Sequence, residues 1–395
     1  MARTIEKGSF MSEKSQLFRL ELKPKLLVIG KDAEVLELVV DEVRQAGIEA
    51  RGMTASKADG SLTGPFDLIA FGGAIAPAQR RPLEREALFH NPHARFIQTY
   101  APFAASQIVA AARGDDAPSI DLGAYFDRIG YAGSAEPTQA TLRALTELHP
   151  AAIPFEAIDV LLDRGVDISP EAVDAKLIDR RRGGYCYEQN GLFARVLRAI
   201  GYEVESLASH VRWMSEPGTP LPPLTHRVLR VTIDGVPWLA DVGFGSCVPT
   251  APLRMDVGDP QPTRHETFRI VRMGPQWLLQ ALVEDSWKPV YSIAAEPWLE
   301  GQYEMANWYT STHPSSHFRH RLIVTRTTAE ARFILADGRL TIRRPDGTAE
   351  RRYLDADAIM EALGSIFLLP VDPEWRPIAE RAAKAVEAEK IAQAA

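Results

Sequence analysis

The stretch THRVLRVTIDGVPWLADVGFGS, Thr225–Ser246, decides the fold of the central part of the chain. Asp234-Gly235 is a strong signal for a two-residue hairpin turn, because the central residues of such turns take a left-handed backbone. With the turn at that point, Asp241 lies opposite Val228, and His226 shares the face of Val228. The sequence therefore predicts that an imidazole and a carboxylate are diagonal neighbours on one antiparallel pair, about 7–8 Å apart at Cα.

A second unusual stretch, RRGGYCYEQNG (Arg181–Gly191), places a cysteine at the start of a predicted helix. Gly183 and Gly184 are unfavourable inside a helix, so we expect them to form a tight entry just before Cys186. The free N–H groups of a first helical turn stabilise a thiolate, which is the reactive form of cysteine. A lone cysteine is also often a small buried apolar residue. From this stretch alone, nucleophile and core filler both stay open.

Taken together, these residues favour covalent catalysis. A cysteine nucleophile needs a base, and the base needs a group that orients it. Cys186 is a candidate nucleophile, His226 a candidate base and Asp241 its candidate partner. A surface or core histidine and a strand-end carboxylate that caps a loop remain alternatives, since nothing in the sequence brings Cys186 near the hairpin. The N–H of Cys186 and one from Gly243–Gly245 are candidates for stabilising an oxyanion. Phe244 is a candidate wall of the acyl pocket, although an ordinary turn after a strand remains an alternative for this GFG segment.

The pattern of elements predicts an α+β multidomain protein, since 395 residues exceed one ordinary core. Strand and helix signals alternate early, then helices dominate, then strands. The predicted parts are a disordered leader (1–22), a small parallel flavodoxin/Rossmann-like α/β domain (23–115), a helical bundle carrying the cysteine (116–202), a β-rich domain carrying the histidine and aspartate (203–325), and a closing part with hairpin strands and helices (326–395).

The role of the α/β domain at 23–115 is open from the sequence. It has neither G-x-G-x-x-G nor a P-loop. Gly72-Gly73 follows a predicted strand, at the end where such sheets bind ligands. A glycine pair there is more often a turn, so we favour a docking module, with homo-oligomerisation through this domain as one partner prediction.

Composition excludes several classes of function. A net charge of −7 gives no support for binding nucleic acid or an anionic membrane. The sequence contains no run of 18 apolar residues, so no transmembrane helix is predicted. With two cysteines, Cys186 and Cys247, no disulfide framework is predicted, which favours a cytoplasmic location, and Cys247 is predicted to be packed. His313, His317 and His320 have no carboxylate at ligand spacing, so no metal is predicted.

Several segments resemble signature segments of the arylamine N-acetyltransferase family. The resemblance runs from about Ala124 to about Trp375, in the family's order. The matching segments are RRGGYCYEQN, THRVLRV and WLADVGFG, with YFDRIGY and AIPFEAID upstream and NWYTSTHPSSHF downstream.

The resemblance implies a helical bundle, a β-barrel-like middle and a C-terminal α/β lid. It also implies that Cys186, His226 and Asp241 are the catalytic triad. The implied reaction is acetyl transfer from acetyl-CoA to an aromatic amine or hydrazine through an acetyl-cysteine. Tyr309 and Ser315 match residues that line the CoA cleft in the family.

Two departures and several alternatives accompany the resemblance. Tyr187 stands where the family more often has phenylalanine, and the domain at 23–115 is absent from the minimal family enzyme.

A thiol hydrolase or an amide synthase would use the same triad, and a non-catalytic binding protein is a further alternative. Arg181 and Arg182 either attract the phosphates of CoA or act as charges at a helix C-terminus.

Overall fold

The computed structural model describes residues 25–57, 62–75, 77–99, 104–112, 120–213, 215 and 218–394. They belong to two compact units, 1–119 and 120–395. The predicted leader at 1–22 lies outside the described residues. In the part of the chain that is described, no helix is long and apolar enough to cross a membrane.

The first unit is a parallel α/β sheet. Its four strands lie in the order β2-β1-β3-β4, all parallel. Its elements are β1 (Lys25–Gly30), α1 (Ala33–Gln45), β2 (Glu49–Thr54), β3 (Leu68–Gly72), α2 (Pro77–His90), β4 (Arg95–Thr99) and α3 (Ala104–Ala112).

Helices cover both faces of this sheet. Asp32 caps α1, since its carboxylate accepts the N–H groups of Glu34 and Val35. Helices α1 and α3 pack on one face of the sheet and α2 on the other. Helix α2 is not predicted from the sequence, because its many charged residues and the internal Pro82 obscure a helical apolar pattern. Opposite placement of α1 and α2 gives the doubly wound arrangement of an open α/β fold.

The second unit begins with short helices and continues as a long run of strands. Its first elements are α4 (Leu122–Ile129), α5 (Gln139–Ala152), β5 (Phe155–Glu156), α6 (Ile158–Leu161), α7 (Pro170–Asp174) and α8 (Cys186–Ile200). The strands that follow are β6 (Glu203–Val211), β7 (Leu224–Ile233), β8 (Val236–Ala240), β9 (Leu253–Arg254), β10 (Gln261–Pro262), β11 (Thr267–Met273), β12 (Gln276–Val283) and β13 (Ser286–Pro297).

Strands β6 to β13 form one eight-stranded sheet that nearly closes into a barrel. Its order is β10-β11-β12-β13-β6-β7-β8-β9, so β9 and β10 are the two edges. The side chain of Gln261 joins these edges. Its Oε1 accepts the Arg254 N–H at 2.7 Å, and its Nε2 donates to the Arg254 carbonyl at 3.0 Å. The structure confirms the predicted fold class, which is a mixture of helices and sheets with one barrel-like sheet.

The chain ends in a second, antiparallel sheet covered by helices. The remaining elements are α9 (Glu300–Thr312), β14 (Ile323–Thr327), β15 (Arg332–Ala336), β16 (Arg339–Arg343), β17 (Ala349–Tyr353), α10 (Ala356–Ser365) and α11 (Arg376–Ala394). This sheet has the order β17-β16-β15-β14-β5. It therefore recruits β5 from a region that the sequence analysis assigned to helices alone. Ala382 and Val386 are buried on α11, so the terminal helix packs through this face.

Candidate active site

Gly183 and Gly184 form the backbone bend that places Cys186 at the first position of α8. A Cβ on Gly183 would collide with the carbonyl oxygen of Pro154. A Cβ on Gly184 would lie 2.7 Å from a carboxylate oxygen of Glu188. Neither clash can be relieved cheaply, because the first involves backbone and the second a buried side chain. Both positions therefore require glycine, and the thiol is held at a helix N-terminus.

The hairpin holds an imidazole against a carboxylate. The register observed is Ile233 opposite Val236, as the turn at Asp234-Gly235 predicts. Asp241 follows β8, and its Oδ2 lies 2.7 Å from Nε2 of His226. Both side chains are buried. Since Nε2 is occupied by the carboxylate, Nδ1 is the ring nitrogen that remains for another partner.

A β-bulge directs the segment before His226 toward the thiol. Ser209 pairs with His226 across the sheet, but the next residue of β6, His210, pairs with Leu224. Thr225 is thereby left out of the ladder. Its carbonyl accepts the Cys186 thiol, with Sγ and O 3.6 Å apart. Bulges commonly re-aim side chains near functional sites, and this one brings the helix to the hairpin.

Asn190, which the sequence analysis missed, locks α8 to the hairpin. Its Nδ2 donates to the carbonyl of Arg227 at 2.6 Å and to Oδ1 of Asp241 at 2.8 Å. Its Oδ1 accepts the N–H of Val242 at 3.0 Å. Asn190 is four residues after Cys186 and fully buried. The sequence signal that could have identified Asn190 is its position: it is a polar residue one helical turn after the cysteine, on a helix with an apolar face.

Electrostatics favour an ion pair at this position. Burial alone lowers the pKa of His226, but the Asp241 carboxylate and contact with the Cys186 thiol raise it to about 10. Burial raises the pKa of Asp241, yet His226 and the hydrogen bonds from Asn190 and the Gly243 N–H bring it below its usual value. Burial, then Asp241, raises the pKa of Tyr291, whose ring lies 5.0 Å from that of His226. A protonated imidazole next to a thiol stabilises its thiolate.

The GFG segment packs against the backbone of Cys186 and the ring of His226. The ring of Phe244 meets that of His226 edge-on, with centroids 5.1 Å apart. A Cβ on Gly243 would lie 2.9 Å from Cα of Cys186, so this backbone packs directly on the nucleophile candidate. Gly245 has φ +77°, which favours glycine. The Gly243 N–H donates to Oδ1 of Asp241 at 2.9 Å, so the N–H groups of Phe244 and Gly245 are the remaining oxyanion candidates of this segment.

Tyr309 and Ser315 lie together, with their hydroxyl oxygens 3.3 Å apart. The ring of His313 stacks on Tyr309 at 4.5 Å, and its Nδ1 is 2.7 Å from the Ser315 hydroxyl. Tyr309 lies on α9, and Ser315 follows the end of this helix. On the buried face of α9, the Asn307 amide donates to the Val166 carbonyl at 2.8 Å, and the Ser311 hydroxyl donates to the Asn307 carbonyl at 2.8 Å.

Tyr187 is buried next to Cys186. Its hydroxyl oxygen lies 3.3 Å from Thr310 Oγ1 on α9, and its ring meets Tyr185 edge-on. A phenylalanine would make the ring contacts without the hydroxyl contact. The tyrosine therefore adds a polar link between α8 and α9.

The remaining candidates have structural partners. Arg182 donates from Nε to Glu156 at 2.9 Å and contacts Asp159, so its charge is already paired and does not await a phosphate. Cys247 is fully buried in the barrel core, and burial raises its pKa. Both cysteines are free thiols. Among the described residues, no group of three His, Cys, Asp or Glu side chains could hold a metal.

A comparison with protein-family models indicates the class of protein to which the chain belongs. A family model described as N-acetyltransferase matches residues 138–376, which include all three residues of the cluster formed by Cys186, His226 and Asp241. This match places the chain in the class of N-acetyltransferases.

Several similar proteins identify the family within the N-acetyltransferases to which the chain belongs. The arylamine N-acetyltransferase of Mycolicibacterium smegmatis is 41% identical over 68% of this chain and 99% of its own length. That of Escherichia coli is 42% identical over 52% of this chain and 72% of its own. The solved M. tuberculosis enzyme matches 67% of this chain and all of its own, at 40% identity and TM-score 0.64. The chain therefore belongs to the arylamine N-acetyltransferase family, and the predicted family and enzyme class are confirmed.

Proposed function

We propose that the enzyme moves the acetyl group of acetyl-CoA to the nitrogen of an aromatic amine or hydrazine, through an acetyl thioester on Cys186. The observation that carries the proposal is the 2.7 Å hydrogen bond between His226 and Asp241, beside a Cys186 thiol that raises the pKa of His226. The M. marinum arylamine N-acetyltransferase, 42% identical over 67% of this chain and 99% of its own length with TM-score 0.64, was solved in complex with CoA. That complex supports acetyl-CoA as the co-substrate.

The first half-reaction breaks the thioester of the donor. The Cys186 thiolate attacks the acetyl carbonyl, a tetrahedral oxyanion forms, and the CoA thiolate leaves with the proton of the His226 imidazolium. In the second half-reaction the amine attacks the acetyl-cysteine, His226 takes its proton, and Cys186 leaves as thiolate. Splitting the transfer this way lets a weak aromatic nucleophile meet an already activated acyl group.

Each partner of the thiol has a separate task. Asp241 holds the imidazole and offsets its positive charge, so that His226 can give its proton to the leaving CoA thiolate and take one back from the attacking amine. The oxyanion needs backbone donors. The Cys186 N–H at the helix start and the N–H groups of Phe244 and Gly245 are the candidates, since Gly243 donates to Asp241.

The alternatives differ in where the acyl group goes. A thiol hydrolase would pass it to water, and an amide synthase would pass it to a tethered amine. Neither is favoured, because the relatives are named acetyltransferases. CoA release that is equally fast with and without amine would favour the hydrolase.

The test is the variant Cys186→Ala, with Cys247→Ala as its matched control. We expect a covalent acetyl adduct by intact mass in the wild type and in the Cys247 variant, and none in Cys186→Ala. Amine acetylation should fall by about 10³-fold or more in Cys186→Ala, since a covalent step is lost. A Cys186→Ala enzyme with near-normal turnover would refute the proposal.

Other parts of the proposal remain predictions. Tyr309 and Ser315 are proposed to contact CoA, and Phe244 to wall the acyl pocket. The boundaries of the predicted domains, self-association through the domain at 23–115, and a cytoplasmic location likewise stay predictions.

A further inference from the structure

We infer that Lys176 and Glu188 are positioning residues for the nucleophile. Lys176 holds the Glu188 carboxylate beneath α8, where it accepts the N–H of Tyr185 and fixes the peptide that leads into Cys186. The inference rests on the proposed role of Cys186 as nucleophile.

The Glu188 carboxylate uses one oxygen for the backbone and the other for Lys176. Its Oε2 accepts the N–H of Tyr185 at 3.0 Å, and its Oε1 accepts Nζ of Lys176 at 2.7 Å. Glu188 is 1% exposed. The missing Cβ of Gly184 leaves room for this carboxylate. The entry to α8 is therefore shaped around the carboxylate, two residues from the thiol in sequence.

Lys176 lies within a widened helical turn that precedes α8. Residues Ala175–Asp179 form a π-helical turn, in which the Arg180 N–H bonds the Ala175 carbonyl. Such turns are rare and often occur at functional sites. The turn buries Lys176, whose ammonium also contacts Asp159 Oδ2 at 2.7 Å. Its carbonyl accepts the Arg182 N–H at 2.9 Å, so Lys176 holds the approach to the glycines through its backbone as well.

The charges around Glu188 show why the ammonium is needed. Apart from Lys176, the charged groups of this cluster are two carboxylates and one guanidinium, from Glu156, Asp159 and Arg182. Burial raises the pKa of Glu188, Lys176 opposes this, and Glu156 adds to the rise. Burial lowers the pKa of Lys176, but the carboxylates of Glu188, Glu156 and Asp159 raise it above its ordinary value, so it stays charged.

Removing Lys176 leaves a buried carboxylate without its counter-charge. Such a group takes up a proton rather than remain ionised. A protonated Glu188 is a weaker acceptor for the Tyr185 N–H, so the first turn of α8 loses its anchor. The predicted result is a slower acetylation of Cys186 that worsens as the pH falls.

The test measures the rate at which acetyl-CoA acetylates Cys186 in the full chain, by rapid quench and intact mass, across the pH range. For Lys176→Met we expect a rate about tenfold below wild type near neutrality, and a further fall between about pH 8 and 6 that the wild type lacks. The double variant Lys176→Met/Glu188→Gln should recover to within about threefold, because a glutamine oxygen accepts the same N–H without a charge. It should also lose the added pH dependence.

Two further variants keep the test decisive if Lys176→Met folds poorly. Glu188→Ala removes the acceptor, while Lys176 keeps Asp159. Glu188→Ala should acetylate Cys186 about tenfold more slowly than the wild type, without a further fall in rate between about pH 8 and 6. Glu188→Gln should acetylate Cys186 at close to the wild-type rate. Arg195→Met is the matched control, since it breaks an ion pair with Asp174 (2.9 Å) farther along α8 and should acetylate at the wild-type rate.

Each failure points to a different cause. If the wild type forms no adduct at Cys186, the proposed function fails. If the wild type forms it and Glu188→Ala acetylates at the wild-type rate, the positioning role is wrong. The role is equally overturned if the double variant is as slow as Lys176→Met although it melts at the wild-type temperature.

Discussion

The two cysteines of the chain sit in opposite environments although both are buried. Cys186 begins a helix and contacts an imidazole that carries a proton up to about pH 10. Cys247 packs among apolar side chains of the barrel, where burial, then Glu266, raises its pKa. Thiolate character follows local charge rather than burial alone. Reactivity should therefore separate the two thiols sharply.

Iodoacetamide labelling measures that separation. We expect Cys186 to be alkylated at least ~100-fold faster than Cys247 at about pH 6–7, because the His226 imidazolium lies beside Cys186, whereas burial and Glu266 raise the pKa of Cys247. Peptide mapping after timed quenching gives both rates. His226→Gln should slow the labelling of Cys186 at the same pH. Comparable rates for the two cysteines in folded protein would contradict the assignment of a special environment.

The protonation of His226 also makes stability depend on pH. Its pKa is raised from about 6.5 in an unfolded chain to about 10 in the folded protein. The stabilisation is therefore fully present below about pH 6.5 and is lost as the pH rises through about 10. Urea unfolding should give a free energy of unfolding that falls across this window for the wild type. The slope should be shallower for His226→Gln, and equal slopes would contradict the raised pKa.

At the scale of elements, the site depends on how α8 docks on the β7–β8 hairpin. The thiol comes from the helix and the imidazole from the strand, so neither element holds the site by itself. Asn190 makes the connection, since it bonds the backbone of both β7 and the residue after Asp241. Buried hydrogen-bond networks of this kind fix a unique geometry when every member is satisfied.

Asn190→Ala should uncouple the two elements. We expect the acetylation rate to fall about 10- to 100-fold and stability to fall by about 2–3 kcal/mol, since three buried hydrogen bonds are lost. Asn91→Ala is the control, because Asn91 is also buried and hydrogen-bonded but belongs to the first unit. The control should lose stability without a loss of acetylation. A normal acetylation rate in Asn190→Ala would contradict the docking role.

Sequence reasoning succeeded where the governing physics is local. The Asp234-Gly235 turn fixes its own register, and the glycines before Cys186 mark a bend by their lack of Cβ. It failed where distant groups decide. Asn190 acquires its role from β7 and from the residue that follows Asp241, both of which come later in the sequence. A bulge at Thr225 leaves no local signal, because it depends on the pairing with β6.

At the scale of the whole molecule, the chain is an acetyltransferase joined to a separate α/β unit. The first unit has its own core on both faces of its sheet, and the second has cores in the barrel and under the C-terminal sheet. The M. smegmatis relative is matched over 99% of its length by only 68% of this chain. A unit with its own core can in general fold alone.

Residues 120–395, expressed alone, should therefore fold and retain acetylation. We expect kcat/KM for acetyl-CoA within about threefold of the full chain, because the triad, its supports and the barrel lie within this part. The same fragment carrying Cys186→Ala is the control and should be inactive. A fragment that is insoluble, or folded and inactive, would show that residues 1–119 are integral to the enzyme.

Gln261 has a consequence for how the barrel resists self-association. Exposed strand edges present unpaired N–H and C=O groups that recruit other chains. Here the carboxamide of Gln261 imitates a neighbouring peptide group and occupies both backbone groups of Arg254. The seam of the barrel is thus closed by one side chain instead of a further pair of strands. Amide hydrogen exchange at Arg254 reports directly whether that seam is shut, and a Gln261→Ala chain would present an open edge to its neighbours.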